Sequence, residues 1–152
     1  MEIDRLGNRC GDMENCAMNA PPAPPPMLLL VDDDPAVLAS LIFSLELEGF
    51  AVDAFDSGET VVARNRLARH ACLVLDYRLS GIDGLSLLKL LRERGETCPA
   101  VIITSNPTRA MRQRTTEAGA VLIEKPLLGD SLTTAIRQLI HGPNPATRNR
   151  PD

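Results

Sequence analysis

Three aspartates in succession, Asp32, Asp33 and Asp34, stand directly after the apolar run Met27–Val31 and before Pro35. Asp76 follows another such run, Thr104 a third, and Lys125 a fourth after Glu124. Carboxylates gathered in one pocket raise one another's pKa unless positive charge compensates. Mg2+ suits that need, because it prefers oxygen ligands, takes only one or two carboxylates and keeps several waters. Lys125 adds a further positive charge. An aspartate beside such a cation and an ammonium group can attack phosphorus as a carboxylate nucleophile, and a Thr104 hydroxyl can donate to a phosphoryl oxygen. The chemistry these residue types suggest is phosphoryl transfer to Asp76.

That chemistry requires a scaffold that brings distant residues together. Met27–Val31, Phe50–Phe55, Cys72–Leu75, Ala100–Ile103 and Ala120–Ile123 read as five short strands rich in Leu, Val and Ile. Helical stretches lie between them. Leu38, Leu41, Ile42 and Leu45 form a stripe from Pro35 to about Glu48, and Gly49 stops it. Leu85, Leu88 and Leu91 form a second stripe, and Leu132, Ile136, Leu139 and Ile140 a third. From Pro107 to Ala118 the stripe is thin, with Ala110, Met111 and Ala118 set against Arg109, Arg112 and Arg114.

Successive βα units imply a doubly wound α/β fold, a parallel sheet with helices on both faces. The alternating second strand suits an edge. In such a sheet every strand ends on one edge, where residues distant in sequence converge. The intervals from Asp33 to Asp76, Thr104 and Lys125 leave room for two, one and one βα units, so a single pocket can hold them all.

The chain has 152 residues, 44% of them hydrophobic but only 3% aromatic, with no Trp, so one aliphatic core is expected. A net charge of -4 gives no whole-protein field to attract nucleic acid, and no direct DNA binding is expected. Glu2 and Asp4 stand where a secretory signal carries basic residues, and the apolar stretch Ala36–Phe43 is far short of the ~20 residues a membrane span needs. A cytoplasmic protein with reduced cysteines is the expectation. Residues 1–26 read as a disordered leader ending in the proline-rich Ala20–Met27, 27–141 as the folded domain, and 142–152 as a flexible tail. Cys10 and Cys16 fall in the leader and have no partner set for zinc.

Several polar residues have structural readings. Asp34 before Pro35, and Asp83 within the turn 80–84, suit helix N-caps. His70 and His141 are placed at or near helix ends. Arg109, Arg112 and Arg114 form either a solvated face or a surface for an acidic partner.

Taken together, "LLLVDDDPAVLASL", "CLVLDYRLSGIDGLSLL", "VIITS" and "IEKPL" resemble the receiver domain of bacterial response regulators over about residues 27–141. The resemblance implies a flavodoxin-like, CheY-like three-layer sandwich with sheet order 2-1-3-4-5. It implies phosphorylation of Asp76 by a partner histidine kinase or phosphotransfer protein. It assigns Mg2+ to Asp33, Asp76 and the backbone carbonyl of Arg78, with Asp32 as an outer acidic residue acting through water. Lys125 would pair with the phosphoryl group, and its bond to Pro126 is commonly cis in this family. Catalysis would be limited to self-catalysed phosphotransfer and autodephosphorylation.

The chain departs from the family where receivers usually carry Tyr or Phe, three residues before the lysine; Leu122 stands there. The segment after residue 141 offers no effector module, so a stand-alone receiver that switches binding to a downstream protein is expected. The alternative is a receiver-like interaction module that works without phosphorylation. A haloacid-dehalogenase-type phosphatase would need an acid two residues after the nucleophile, where Arg78 stands, and a flavodoxin-like electron carrier would need a Ser/Thr/Gly-rich loop after the first strand.

Overall fold

The computed structural model describes residues 23–64, 69–127 and 129–141. The leader up to residue 22, with Cys10 and Cys16, and the tail 142–152 lie outside the described residues. Five strands, β1 (Met27–Val31), β2 (Ala51–Phe55), β3 (Cys72–Asp76), β4 (Ala100–Thr104) and β5 (Val121–Glu124), form one sheet in the order β2-β1-β3-β4-β5. All pairings are parallel, with Leu29 opposite Asp53 and Leu73, Asp76 opposite Ile103, and Thr104 opposite Glu124. The helices are α1 (Pro35–Leu47), α2 (Gly58–Ala63), α3 (Gly84–Glu93), α4 (Arg109–Glu117) and α5 (Ser131–His141).

The aliphatic strands are buried on both sides, which gives the core two halves. On one face Leu28, Leu30, Val74 and Ile103 pack with Leu41 and Leu45 of α1 and with Leu132 and Ile136 of α5. On the other, Leu29, Val31, Leu73, Leu75 and Ile102 pack with Val61 of α2 and with Leu85, Leu88 and Leu91 of α3. Neighbouring residues of one strand therefore serve opposite layers, as the period of two requires.

Local chemistry sets the helix starts. The Asp34 carboxylate accepts from the amides of Ala36 and Val37 at 3.0 and 3.3 Å, with Pro35 in the first turn. Asp83 caps α3 through the Ser86 amide at 2.8 Å, and Thr108 caps α4 through the Met111 amide at 3.1 Å. Gly49, at φ 99°, sits in the left-handed region just past α1, which an L side chain rarely adopts.

The structure sharpens three local expectations. Asp76 and Thr104 are the last residues of β3 and β4 rather than the residues that follow them, because pairing continues through Asp76 opposite Ile103. The sequence reading leaves room for a helix between β2 and β3 but gives it no bounds; α2 has six residues, too few for a periodic stripe, and is started by Ser57 accepting from the Thr60 amide. Among the described residues no helix ends beside His70, since α2 stops at Ala63. The histidine lies in the connection into β3 with a fully buried side chain, and its Nε2 is 3.0 Å from Asp53 Oδ2 on β2.

Candidate phosphoacceptor and metal site

The carboxyl edge of the sheet is built from strand ends and the turns that leave them. Asp32 is held just beyond β1 by its amide, which donates to the Phe55 carbonyl at 3.2 Å. Its carboxylate accepts from the Asp34 amide at 2.9 Å, so the turn that starts α1 also fixes the rotamer of Asp32. One step outward, Asp33 accepts from the Ser80 amide at 2.9 Å. That bond ties the end of β1 to the turn after β3.

Asp76 ends β3 and is only 6% exposed. The backbone behind it is anchored by the Tyr77 amide donating to the Ile103 carbonyl at 2.8 Å and the Gly84 amide donating to the Tyr77 carbonyl at 3.0 Å. A Cβ on Gly84 would run into the Asp76 carbonyl oxygen, so this position demands glycine for close backbone approach. Lys125 leaves β5 with its amide donating to the Thr104 carbonyl at 2.8 Å, and the Lys125–Pro126 peptide is cis.

These supports bring the expected residues together. One oxygen from each of Asp32, Asp33 and Asp76 lies within 4.8 Å of the others. Lys125 Nζ stands 3.5 Å from Asp76 Oδ1 and 3.9 Å from Asp32 Oδ2. Burial is the main cause that pushes the Asp76 carboxyl up to about 6; Asp32 adds to it, while Lys125 and the Arg78 amide oppose it. Asp32 is raised for the same leading reason, against a backbone hydrogen bond from Asp34 and the charge of Lys125.

The buried carboxylates are thus short of positive charge even with Lys125 beside them. An all-oxygen donor set with that deficit fits a hard divalent cation such as Mg2+. Thr104 is buried at the neighbouring strand end, with its hydroxyl donating to the Ser105 carbonyl at 3.2 Å. Arg78 contributes a backbone amide to Asp76.

Three features of the edge have no counterpart in the sequence reading. The Ser80 amide on Asp33 and the Glu59 carboxylate, which accepts from the Ile82 amide at 2.9 Å, pin the turn 80–84 from two sides. Both involve backbone donors in a turn, which residue type does not reveal. The third is Tyr77, whose side chain packs beneath α3 and whose hydroxyl lies 3.5 Å from Arg114 Nη1.

Comparison with known proteins agrees with this geometry. The family profile described as response regulator receiver domain matches residues 28–137. The transcriptional regulatory protein FixJ of Bradyrhizobium diazoefficiens is 32% identical over 115 residues, covering 75% of this chain and 56% of that protein. The chain therefore spans about half the length of this curated relative. The crystal structure of FixJ-N superposes with a TM-score of 0.69 at 32% identity, covering 76% of this chain and 93% of that one. TrrA of Thermotoga maritima, solved in complex with Mg2+-BeF, gives a TM-score of 0.66 at 22% identity over 75% of this chain and 98% of its own, a likeness of fold.

Proposed function

This chain belongs to the response regulator receiver domain family of two-component systems, and from that premise we propose that it is a phosphoacceptor switch whose acceptor is Asp76. The observation that carries the reading is the meeting of three carboxylates with Lys125, whose ammonium lies 3.5 Å from Asp76. An Asp76 oxygen attacks the phosphorus of a phosphohistidine on a histidine kinase or phosphotransfer protein. The P–O bond forms as the P–N bond breaks, and the imidazole leaves.

Asp33, Asp76 and the Arg78 carbonyl would hold Mg2+, with Asp32 acting through water. When bound, the cation offsets charge on the phosphoryl oxygens. Lys125 takes over part of that charge, and the Thr104 hydroxyl turns from the Ser105 carbonyl to a phosphoryl oxygen. Water later cleaves the acyl phosphate, returning the Asp76 carboxylate. A groove of about 640 Å³ lined by Ala36, Ser40, Lys125 and Pro126 runs along α1 and reaches Lys125, which supports approach of a phosphodonor protein along α1.

Incubation of the full chain with acetyl phosphate and Mg2+ tests the reading. The expected result is the mass of one added phosphoryl group, lost in Asp76→Asn. A chain that stays unmodified both with acetyl phosphate and with phosphorylated kinases of its host would overturn it.

A second reading rests on Leu122, half-buried on β5 where receivers usually place an aromatic residue. Without that ring, the domain would serve as an interaction module indifferent to phosphorylation. That reading requires Asp76→Asn to bind its downstream protein as the natural chain does.

A further inference from the structure

Tyr77 is the chain's single tyrosine and directly follows the acceptor. Its backbone is fixed at both amide and carbonyl, so only its side chain is free to report on its surroundings. The hydroxyl reaches Arg114 of α4, and Arg114 lines a groove of about 530 Å³ between α3 and α4. Its floor is formed by the buried Leu85 and Leu88, Ala118 is its exposed apolar edge, and Lys89, Arg92 and Arg114 supply positive charge. The groove exists because α4 buries little of its own surface, chiefly Met111 and Thr115, and leaves the flank of α3 uncovered.

The charges in this groove are unequally engaged. Arg92 Nη1 donates to the Glu96 and Cys98 carbonyls at 3.0 and 2.6 Å. Glu117, which also lines the groove, accepts from the Gln113 amide group at 3.1 Å. Outside the groove, Arg112 is 3.3 Å from Glu124. Lys89 and Arg114 have no carboxylate partner among the described residues.

Two cations without a carboxylate partner, beside the exposed Ala118 and the aliphatic stems of Lys89 and Arg92, select an acidic occupant with an apolar side to lay against those stems. Nucleic acid suits the groove less well, because phosphate binding draws on a longer run of cations. We propose that the α3–α4 groove docks an acidic amphipathic segment of a partner protein. In this arrangement Arg114 receives a partner carboxylate in place of the Tyr77 hydroxyl. Docking stands apart from the phosphoacceptor reading; its coupling to Asp76 through Tyr77 rests on that reading.

The test uses the full chain and a synthetic helical peptide with one face of leucine and one of glutamate. With no Trp and one Tyr, intrinsic emission reports Tyr77 alone. The expected results are a change in that emission on titration and amide NMR shifts centred on Leu88, Lys89 and Arg114. Lys89→Glu combined with Arg114→Glu should weaken binding by about tenfold or more, as should replacing the peptide's glutamates by lysine. Equal affinity for the natural and charge-reversed chains, shifts centred elsewhere, or an oligonucleotide displacing the peptide would overturn the docking surface.

The coupling is read on protein shown by mass to carry the phosphoryl group. Peptide affinity should differ from that of the unmodified chain, and the difference should vanish in Tyr77→Phe. An unchanged affinity in phosphorylated natural protein overturns the coupling. Failure to gain the phosphoryl mass counts against the acceptor assignment alone, since docking is measured on the unmodified chain.

Discussion

Lys125 Nζ and Asp76 Oδ1 are 3.5 Å apart although they leave strands separated by β4. The pair spans the edge of the sheet, and the Thr104 carbonyl at the end of the intervening strand holds the lysine backbone. Lys125→Ala should therefore slow phosphoryl transfer to Asp76 by about 10²-fold, the usual cost of losing one preorganised charge at a transition state. A time course of phosphoryl mass with acetyl phosphate measures it. Mg2+ binding should persist, because the carboxylates remain.

Burial raises Asp76 to about 6, so in the absence of a divalent cation the folded chain holds its proton up to about that pH. Its contribution to stability is complete below the ordinary value of 3.8 and is lost as pH rises through about 6. Asp76→Asn, which cannot ionise, should unfold later than the natural chain at pH 7 by about 1–3 kcal/mol in chelator. The advantage should shrink as the pH is lowered towards 4. Urea unfolding across that range supplies the measurement.

The same linkage governs metal affinity. Protons and cation compete for Asp76, so apparent Mg2+ affinity should fall as pH drops through about 6. Titration calorimetry in buffers of different ionisation enthalpy should detect proton release on binding.

Gly84→Ala places a methyl group against the Asp76 carbonyl oxygen, a backbone atom that cannot rotate aside. A loss of about 1–3 kcal/mol in unfolding free energy is expected, the usual range for overpacking. Phosphoryl transfer should slow as well, because the acceptor strand end must shift. Gly84 is not among the positive-φ glycines, so the clash alone carries this loss, whereas Gly95→Ala, at φ 99° with no atom within 4 Å, shows the cost of backbone strain alone.

His70 loses its side-chain partner in Asp53→Ala. A buried polar group left unpaired costs about 1–3 kcal/mol, so this change at the β2 edge should be more damaging than an ordinary surface substitution. Chemical denaturation compares it with Asp56→Ala, an exposed residue just beyond the same strand.

The strands, four of the helices and the meeting of Asp32, Asp33, Asp76 and Lys125 are legible from residue types because each depends on period or on strand-end position. Asp34 and Asp83 could be read as caps because Asp is favoured at that position. His70 misleads because its partner, Asp53, lies on another strand and no local pattern marks the pairing. The clasp of Asp33 by the Ser80 amide is likewise invisible, since a backbone donor has no letter of its own. Helix α2 is legible only as space for a second βα unit, without bounds, because in six residues its one deeply buried apolar side chain, Val61, sets no period.

Alternation along β3 has a spatial consequence. Cys72 and Val74 face the layer of α1 and α5, which places Asp76 on that side, while Tyr77 joins Leu73 and Leu75 in the layer of α2 and α3. One peptide bond thus divides the proposed acceptor from the residue that faces the proposed docking groove. A donor lying along α1 and a reader lying between α3 and α4 would approach from opposite sides of the sheet, so a ternary complex is sterically open and neither visitor must leave before the other arrives.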